Sequence, residues 1–148
     1  MRLYLDACCL NRPFDDQSQL RVRLEAEAIR TIFQLCTEGL HQWIGSAVLL
    51  MELGRTPDEQ RRQRTTDLLE LADVLAESDP ADRARARELA LLGFGDFDAA
   101  HLATAERLAC DVFLTTDDRL IKKAHSLAPA LLRIRAMNPL SWLQEIDV

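Results

Sequence analysis

The sequence predicts an α/β domain of three layers, with a central, mostly parallel sheet and helices on both faces. Three observations predict it. Leu3-Tyr4-Leu5 and Val112-Phe113-Leu114-Thr115-Thr116 are short β-type runs that read as strands buried in a sheet. Helix-period segments alternate with these runs, the order that builds a parallel sheet. A chain of 148 residues with 48% hydrophobic content suits a single domain over 1–148 and supplies its core.

The elements follow in order. After the first strand, Asn11-Arg12-Pro13-Phe14-Asp15-Asp16 makes a turn. Leu20, Leu24, Ala28, Ile32 and Leu35 recur at helical spacing, Ile29 and Phe33 widen the stripe, and Gly39 is a plausible stop. Trp43-Ile44-Gly45 reads as a strand. Ser46 then offers an N-cap to Ala47-Val48-Leu49-Leu50-Met51-Glu52-Leu53, a helix apolar on every side and expected to be largely buried. Further helices are expected over 58–73, 81–92, 96–109 and 118–127, with Glu77-Ser78-Asp79-Pro80 as the one break between helical stretches. Leu131 to Arg135 forms a last strand, and Asn138-Pro139 starts a short helix through Trp142 and Leu143. There is no repeat and no low-complexity segment.

Composition removes several functions. A net charge of −6 argues against a charge-driven, nonspecific nucleic-acid binder, though not against one that meets nucleic acid through a metal. No apolar stretch approaches the roughly 18 residues of a membrane span, and the chain enters a strand at once, which argues for a cytoplasmic protein rather than an exported one. Cys8 and Cys9 are adjacent, and Cys36 and Cys110 sit in apolar helical stretches, so neither a disulfide framework nor zinc-finger spacing emerges. All four are expected to be reduced and mostly buried.

With 24 Asp and Glu in the chain, only placement can single out an acid. Asp6 and Asp117 each follow a strand, and ligands of open α/β sheets gather outside the strands' carboxyl ends. Glu52 lies in an apolar helix and needs a partner; as a plain salt bridge that partner is Arg55 or Lys122. Asp98 opens a helix, where the dipole favours negative charge, and Asp96 before it reads as the N-cap. Taken singly each has an ordinary explanation, as a turn former, first-turn charge or ion-pair member. Jointly they place four carboxylates where an α/β sheet can gather them, and hard cations such as Mg²⁺ or Mn²⁺ want such oxygens.

The segments Leu-Tyr-Leu-Asp6, Ser46-Ala-Val-Leu-Leu-Met-Glu52-Leu, Asp98-Ala-Ala-His-Leu-Ala-Thr-Ala and Phe-Leu-Thr-Thr-Asp117-Asp-Arg-Leu together resemble the PIN domain family. Asn138-Pro139 before an apolar helix fits as well. That family includes many metal-dependent ribonucleases, among them the VapC-type toxins of toxin–antitoxin pairs. The resemblance implies that Asp6, Glu52, Asp98 and Asp117 are the catalytic, metal-holding quartet, that Thr116 supports the last acid, and that Asp96 and Asp118 are auxiliaries. It implies a two-metal, in-line hydrolysis of RNA leaving a 5′-phosphate, a small antitoxin covering the acidic crevice, and a homodimer. One departure stands out: Ala7-Cys8-Cys9 follows Asp6 where many relatives carry a small hydroxyl residue, and a thiol is a poor donor.

Arg12 is a candidate contact for a substrate phosphate, and Arg55, Arg61, Arg62 and Arg64 form a basic run that, mixed with acids, reads first as a solvated face. Arg133 and Arg135 read as soluble edge or partner-facing residues. His101, one turn from Asp98, reads as a packing or supporting residue rather than a general base. Two other classes compete. A noncatalytic PIN-fold binding module predicts a damaged quartet, and a receiver-type signalling domain predicts paired acids after the first strand and a strand lysine; neither signature is present.

Overall fold

The computed structural model describes residues 1–146. The chain runs β1 (Arg2–Leu5), α1 (Ala7–Asn11), a 3-10 turn (Arg12–Phe14), α2 (Leu20–Thr37), β2 (Gln42–Ser46), α3 (Ala47–Gly54) and α4 (Glu59–Leu69), then β3 (Val74–Ala76) and α5 (Pro80–Leu91). It continues through α6 (Asp96–Arg107), β4 (Val112–Leu114), α7 (Asp118–Ser126), β5 (Arg135–Met137) and α8 (Pro139–Ile146). The strands form one sheet in the order β3-β2-β1-β4-β5, every pair parallel.

Alternation along the strands divides the core into two layers, as a sheet covered on both faces requires. Leu3, Leu5, Val112 and Leu114 face Ile29, Ile32, Leu49, Leu69 and Trp142 on one side. Tyr4, Ile44 and Phe113 face Leu89, Leu102, Leu120 and Ile134 on the other. The strand order reverses at β1, whose chain successor β2 lies on one side and β4 on the other; the carboxyl ends of β1 and β4 therefore open at a topological switch point. Leu5 pairs with Leu114, which sets Asp6 beside the start of the β4–α7 connection.

Several expectations shift. Helix α4 stops at Leu69 rather than running to 73, and residues 74–76, to which no element was assigned, are the edge strand β3. Asp73 turns the chain: its backbone N–H donates to the Trp43 carbonyl and its side chain accepts from the Trp43 N–H, at 2.9 and 2.7 Å. Gly45 leaves room for Leu69, whose Cδ1 would lie 2.7 Å from any Cβ there, so β2 and the end of α4 pack backbone to side chain. The last strand is Arg135–Met137 rather than 131–135, because Leu132 and Ile134 are core residues of the preceding loop and pairing begins at Val112–Arg135.

The buried face of α2 is centred on Val22, Ala26, Ile29, Ile32 and Cys36, rotated from the expected stripe, so that Leu20 and Leu24 are exposed. Helix α3 is not apolar-buried all round either, since Leu50 and Met51 are exposed. Cys9, Cys36 and Cys110 are buried free thiols and Cys8 is half-buried. No helix among the described residues is long and apolar enough to cross a membrane.

Candidate metal centre

Asp6 leaves β1 as the N-cap of α1, with one carboxylate oxygen accepting from the Ala7 N–H at 2.8 Å. Its other oxygen accepts from the Thr115 hydroxyl at 2.8 Å, and that hydroxyl accepts in turn from the Asp117 N–H at 3.1 Å. Thr115, wholly buried beyond β4, thus couples the first and last acids. Thr116, expected to support the last acid, lends its backbone N–H to the Cys8 sulfur at 3.3 Å. The hydroxyl support put in doubt by Cys8 comes from across the sheet, while the Cys8 thiol lies 3.5 Å from Asp6 as a weak additional donor.

Asp117 caps α7, its Oδ1 accepting from the N–H groups of Arg119 and Leu120 at 2.9 and 3.2 Å. Ser46 caps α3 as expected, accepting from the Leu49 N–H at 3.1 Å, and the helix carries Glu52 one and a half turns on. Among the described residues Glu52 pairs with neither Arg55 nor Lys122; its Oε1 lies 2.6 Å from Nε2 of His101. The ligand atoms of Asp6, Glu52 and His101 all lie within 4.8 Å of one another.

Helix α6 begins at Asp96 with Gly95 as its N-cap, which corrects the expected cap by one residue; Asp96 and Asp98 are both first-turn acids. A residue without a side chain at the cap leaves the first amides to the dipole and to these acids. Asp98 is half-buried, and its carboxyl is pushed up first by burial, then by the charge of Asp117 and, less, of Glu52. Asp6, almost fully buried, is pushed up well above the usual range by burial, then by Cys8 and also by Asp98. Asp98 thus feels the charges of Asp117 and Glu52, and Asp6 that of Asp98, but the tight group is Asp6, Glu52 and His101, with Asp98 and the exposed Asp117 around it.

Carboxylate oxygens crowded at a switch point, with no ammonium or guanidinium among the three tightly grouped residues, are the donor set that hard divalent cations fit. Two auxiliary candidates are otherwise engaged. Asp118 holds Arg21 in a fork at 2.7 and 2.8 Å, and Arg12 lies between Asp15 and the buried Glu25 at 3.1 and 3.2 Å. Of the basic run, Arg61 is 2.6 Å from Asp15 and Arg62 donates to the Thr56 carbonyl; Arg55 lies over the Phe97 ring at 5.0 Å, and no acid among the described residues is within ion-pair reach of it.

Thr115 and Tyr4 are site residues that their positions in the sequence did not mark. Tyr4 is wholly buried, and its hydroxyl lies 2.6 Å from both Ser46 Oγ and His101 Nδ1. A buried tyrosine needs a partner for its hydroxyl, which was the available signal.

A family model of the PIN domain matches residues 3–126. The structure is similar to VapBC-1 from nontypeable Haemophilus influenzae, with a TM-score of 0.61 and 16% identity over 94% of this chain and 98% of that one. It is similar to DNA-bound VapBC from Salmonella typhimurium, with a TM-score of 0.63 and 18% identity over 94% and 98%. PAE2754 from Pyrobaculum aerophilum gives 0.57 and 17% over 99% and 90%. No curated protein sequence matches. At these identities the structural likeness is one of fold, but the family match runs from β1 through α7 and takes in all four acids, so the chain belongs to the PIN domain family.

Proposed function

We propose that the protein is a metal-dependent endoribonuclease and the toxin of a toxin–antitoxin pair, with residues 1–148 as one cytoplasmic domain and Asp6, Glu52, Asp98 and Asp117 holding Mg²⁺ or Mn²⁺. The observation that carries this reading is the buried, doubly hydrogen-bonded Asp6 carboxylate within 4.8 Å of the Glu52 carboxylate at the switch point of the sheet. Burial and mutual repulsion make such a pair unfavourable without a cation. Bound cations supply activation of water and neutralisation of phosphate charge.

The chain's own residues supply the rest. Thr115 keeps the Asp6 oxygen oriented while anchoring the turn that presents Asp117. The first turn of α6 presents Asp98 at the positive end of a helix dipole. Arg55, stacked on Phe97 beside Asp98, is a cation free to meet a phosphate of the strand. Asp96 is exposed in the same turn and remains an auxiliary, whereas Asp118 and Arg12 serve mainly to tie α2 to α7 and to the turn after α1. A small antitoxin covering the crevice and a homodimer complete the proposal, supported by the fold shared with VapBC proteins.

The test is cleavage of a mixed RNA panel by partner-free protein with Mg²⁺, Mn²⁺ or EDTA, beside a folded Asp98→Asn variant. Metal-dependent cutting absent from the variant is expected. Equal cutting by both proteins overturns the assigned site, and absence of both cutting and metal binding leaves a noncatalytic module.

A further inference from the structure

We propose that His101 is a positioning residue and not a metal ligand: a buried hydrogen-bond chain that begins at Ser46, the N-cap of α3, and ends on α3 runs through it and fixes the Glu52 carboxylate. The inference rests on the metal-centre reading above and adds a role within it.

The chain is continuous. Ser46, the N-cap of α3, has its Oγ 2.6 Å from the Tyr4 hydroxyl on β1. That hydroxyl is 2.6 Å from His101 Nδ1 on α6, and His101 Nε2 is 2.6 Å from Glu52 Oε1, back on α3. Tyr4 and His101 are wholly buried, so water does not compete for these bonds. The three elements joined are those that carry Asp6, Glu52 and Asp98.

Chemistry gives the chain a direction. A carboxylate only accepts, so the Nε2 facing Glu52 carries the hydrogen. A nitrogen that carries a hydrogen has no lone pair for a cation, which removes His101 from the ligand set although its Nε2 is only 4.0 Å from Asp6 Oδ1. In the neutral ring Nδ1 then accepts, Tyr4 donates to it, and Ser46 donates to Tyr4 while its oxygen caps the helix. One Glu52 oxygen is thereby held and the other is left for a cation. Without the chain, Glu52 is a half-exposed side chain with rotamer freedom to lose on binding.

The test reads metal binding in the full chain rather than cleavage. Mn²⁺ affinity and nitrogen couplings are measured by electron paramagnetic resonance for wild type, Tyr4→Phe, His101→Gln and His101→Ala, with folding checked by circular dichroism. Tyr4→Phe keeps the ring, stacked on Phe113 at 5.4 Å, and loses only the hydroxyl. The expected results are no directly bound imidazole nitrogen in the wild type and an affinity lower by about tenfold for Tyr4→Phe. His101→Ala should lose about 10–100-fold and His101→Gln, which keeps an N–H donor, should recover most of that loss. The Tyr4→Phe effect should vanish in a Glu52→Gln background.

An imidazole nitrogen bound to Mn²⁺, a folded Tyr4→Phe with unchanged affinity, or a Gln variant as weak as Ala would each overturn the assignment. Normal Mn²⁺ binding without RNA cleavage would refute the ribonuclease reading and leave the role of His101 standing. No Mn²⁺ binding by the wild type would refute both.

Discussion

Loading the centre with a divalent cation should expel protons, so its affinity should climb with pH. Burial first, then Cys8 and the charge of Asp98, pushes the Asp6 carboxyl up; burial, then Asp117, does the same to Asp98. The ligand oxygens of Asp6 and Glu52 lie within 4.8 Å. Two full charges at that separation repel by about 3.5 kcal/mol at an effective dielectric of about 20. The Glu52 side chain is 31% exposed, and screening on that side reduces the figure to about 1–2 kcal/mol.

A dication reverses the sign of this term, but only for carboxylates that have lost their protons. Affinity should therefore rise about tenfold per pH unit, or about 1.4 kcal/mol, while one proton is displaced. The window lies above the ordinary Asp value of about 4 and closes once both folded groups are ionised. The same shifts act on folding: because the folded pKa values are raised, their contribution favours the metal-free fold at acidic pH and is lost as pH rises through the folded values, and the cation restores it. Calorimetric titration of Mn²⁺ between pH 5 and pH 8, in two buffers of different protonation enthalpy, measures affinity and proton release together. An affinity flat across that range with no proton released would refute the reasoning, as would metal-free stability that rises through the window.

Four further outcomes are expected. Asp98→Asn should lower RNA cleavage by at least about 100-fold while the metal-free melting temperature stays level or rises, since a repelled, half-buried charge has been removed. Asp82→Ala should cost about 1–3 kcal/mol in urea unfolding, because buried Asp82 accepts from Arg107 Nε at 2.7 Å and Thr104 Oγ1 at 3.3 Å and, beside the Arg85–Glu106 pair, ties α5 to α6. Gly93→Ala should cost about 1–2 kcal/mol by the same assay, since φ is +105° and the Lys123 side chain occupies the space a Cβ would take. Arg55→Ala should raise KM for RNA about 3–10-fold with kcat little changed, read from steady-state cleavage; a loss confined to kcat would contradict the phosphate-contact role.

The fold was legible where burial writes itself into composition. Leu3-Tyr4-Leu5 and Val112-Phe113-Leu114 are apolar on both faces because helices cover both, and they are the neighbouring strands whose ends carry Asp6 and Asp117. The edges were not legible. Strand β3, Val74-Leu75-Ala76, is apolar throughout but only three residues long at the edge of the sheet, and it follows a helical stretch so closely that nothing in the sequence separates the two. Leu132 and Ile134 are buried from a loop, which mimics a strand's apolar residues.

In the site, the candidate acids were chosen from their positions after strands, at a helix start and, for Glu52, inside an apolar helix, but their partners could not be read this way. His101 lies 49 positions from Glu52, and Thr115 lies 109 from Asp6; packing of α6 against α3 brings the first pair together and the parallel β1–β4 register the second. The resemblance pointed to Thr116 as a support of the last acid, whereas the hydroxyl that accepts from the Asp117 N–H is that of Thr115, one residue earlier.

Under the proposed function, the arginines bear on how an acidic chain would meet RNA without being a general nucleic-acid binder. Arg12, Arg21 and Arg61 are each tied to carboxylates of the chain, at Glu25, Asp118 and Asp15. Their charges are neutralised locally and their role is to tie α2 and α4 to the turn after α1, and α7 to α2. What is left near the crevice is an uncompensated carboxylate cluster with Arg55 at its rim. Such a field repels phosphate until cations occupy the cluster, so affinity for RNA and competence to cut it should arise together. A cation that ligates without catalysing, such as Ca²⁺, separates the two: if the reasoning holds, RNA binding appears with Ca²⁺ while cleavage does not, and binding that persists in EDTA would show that the arginines suffice alone.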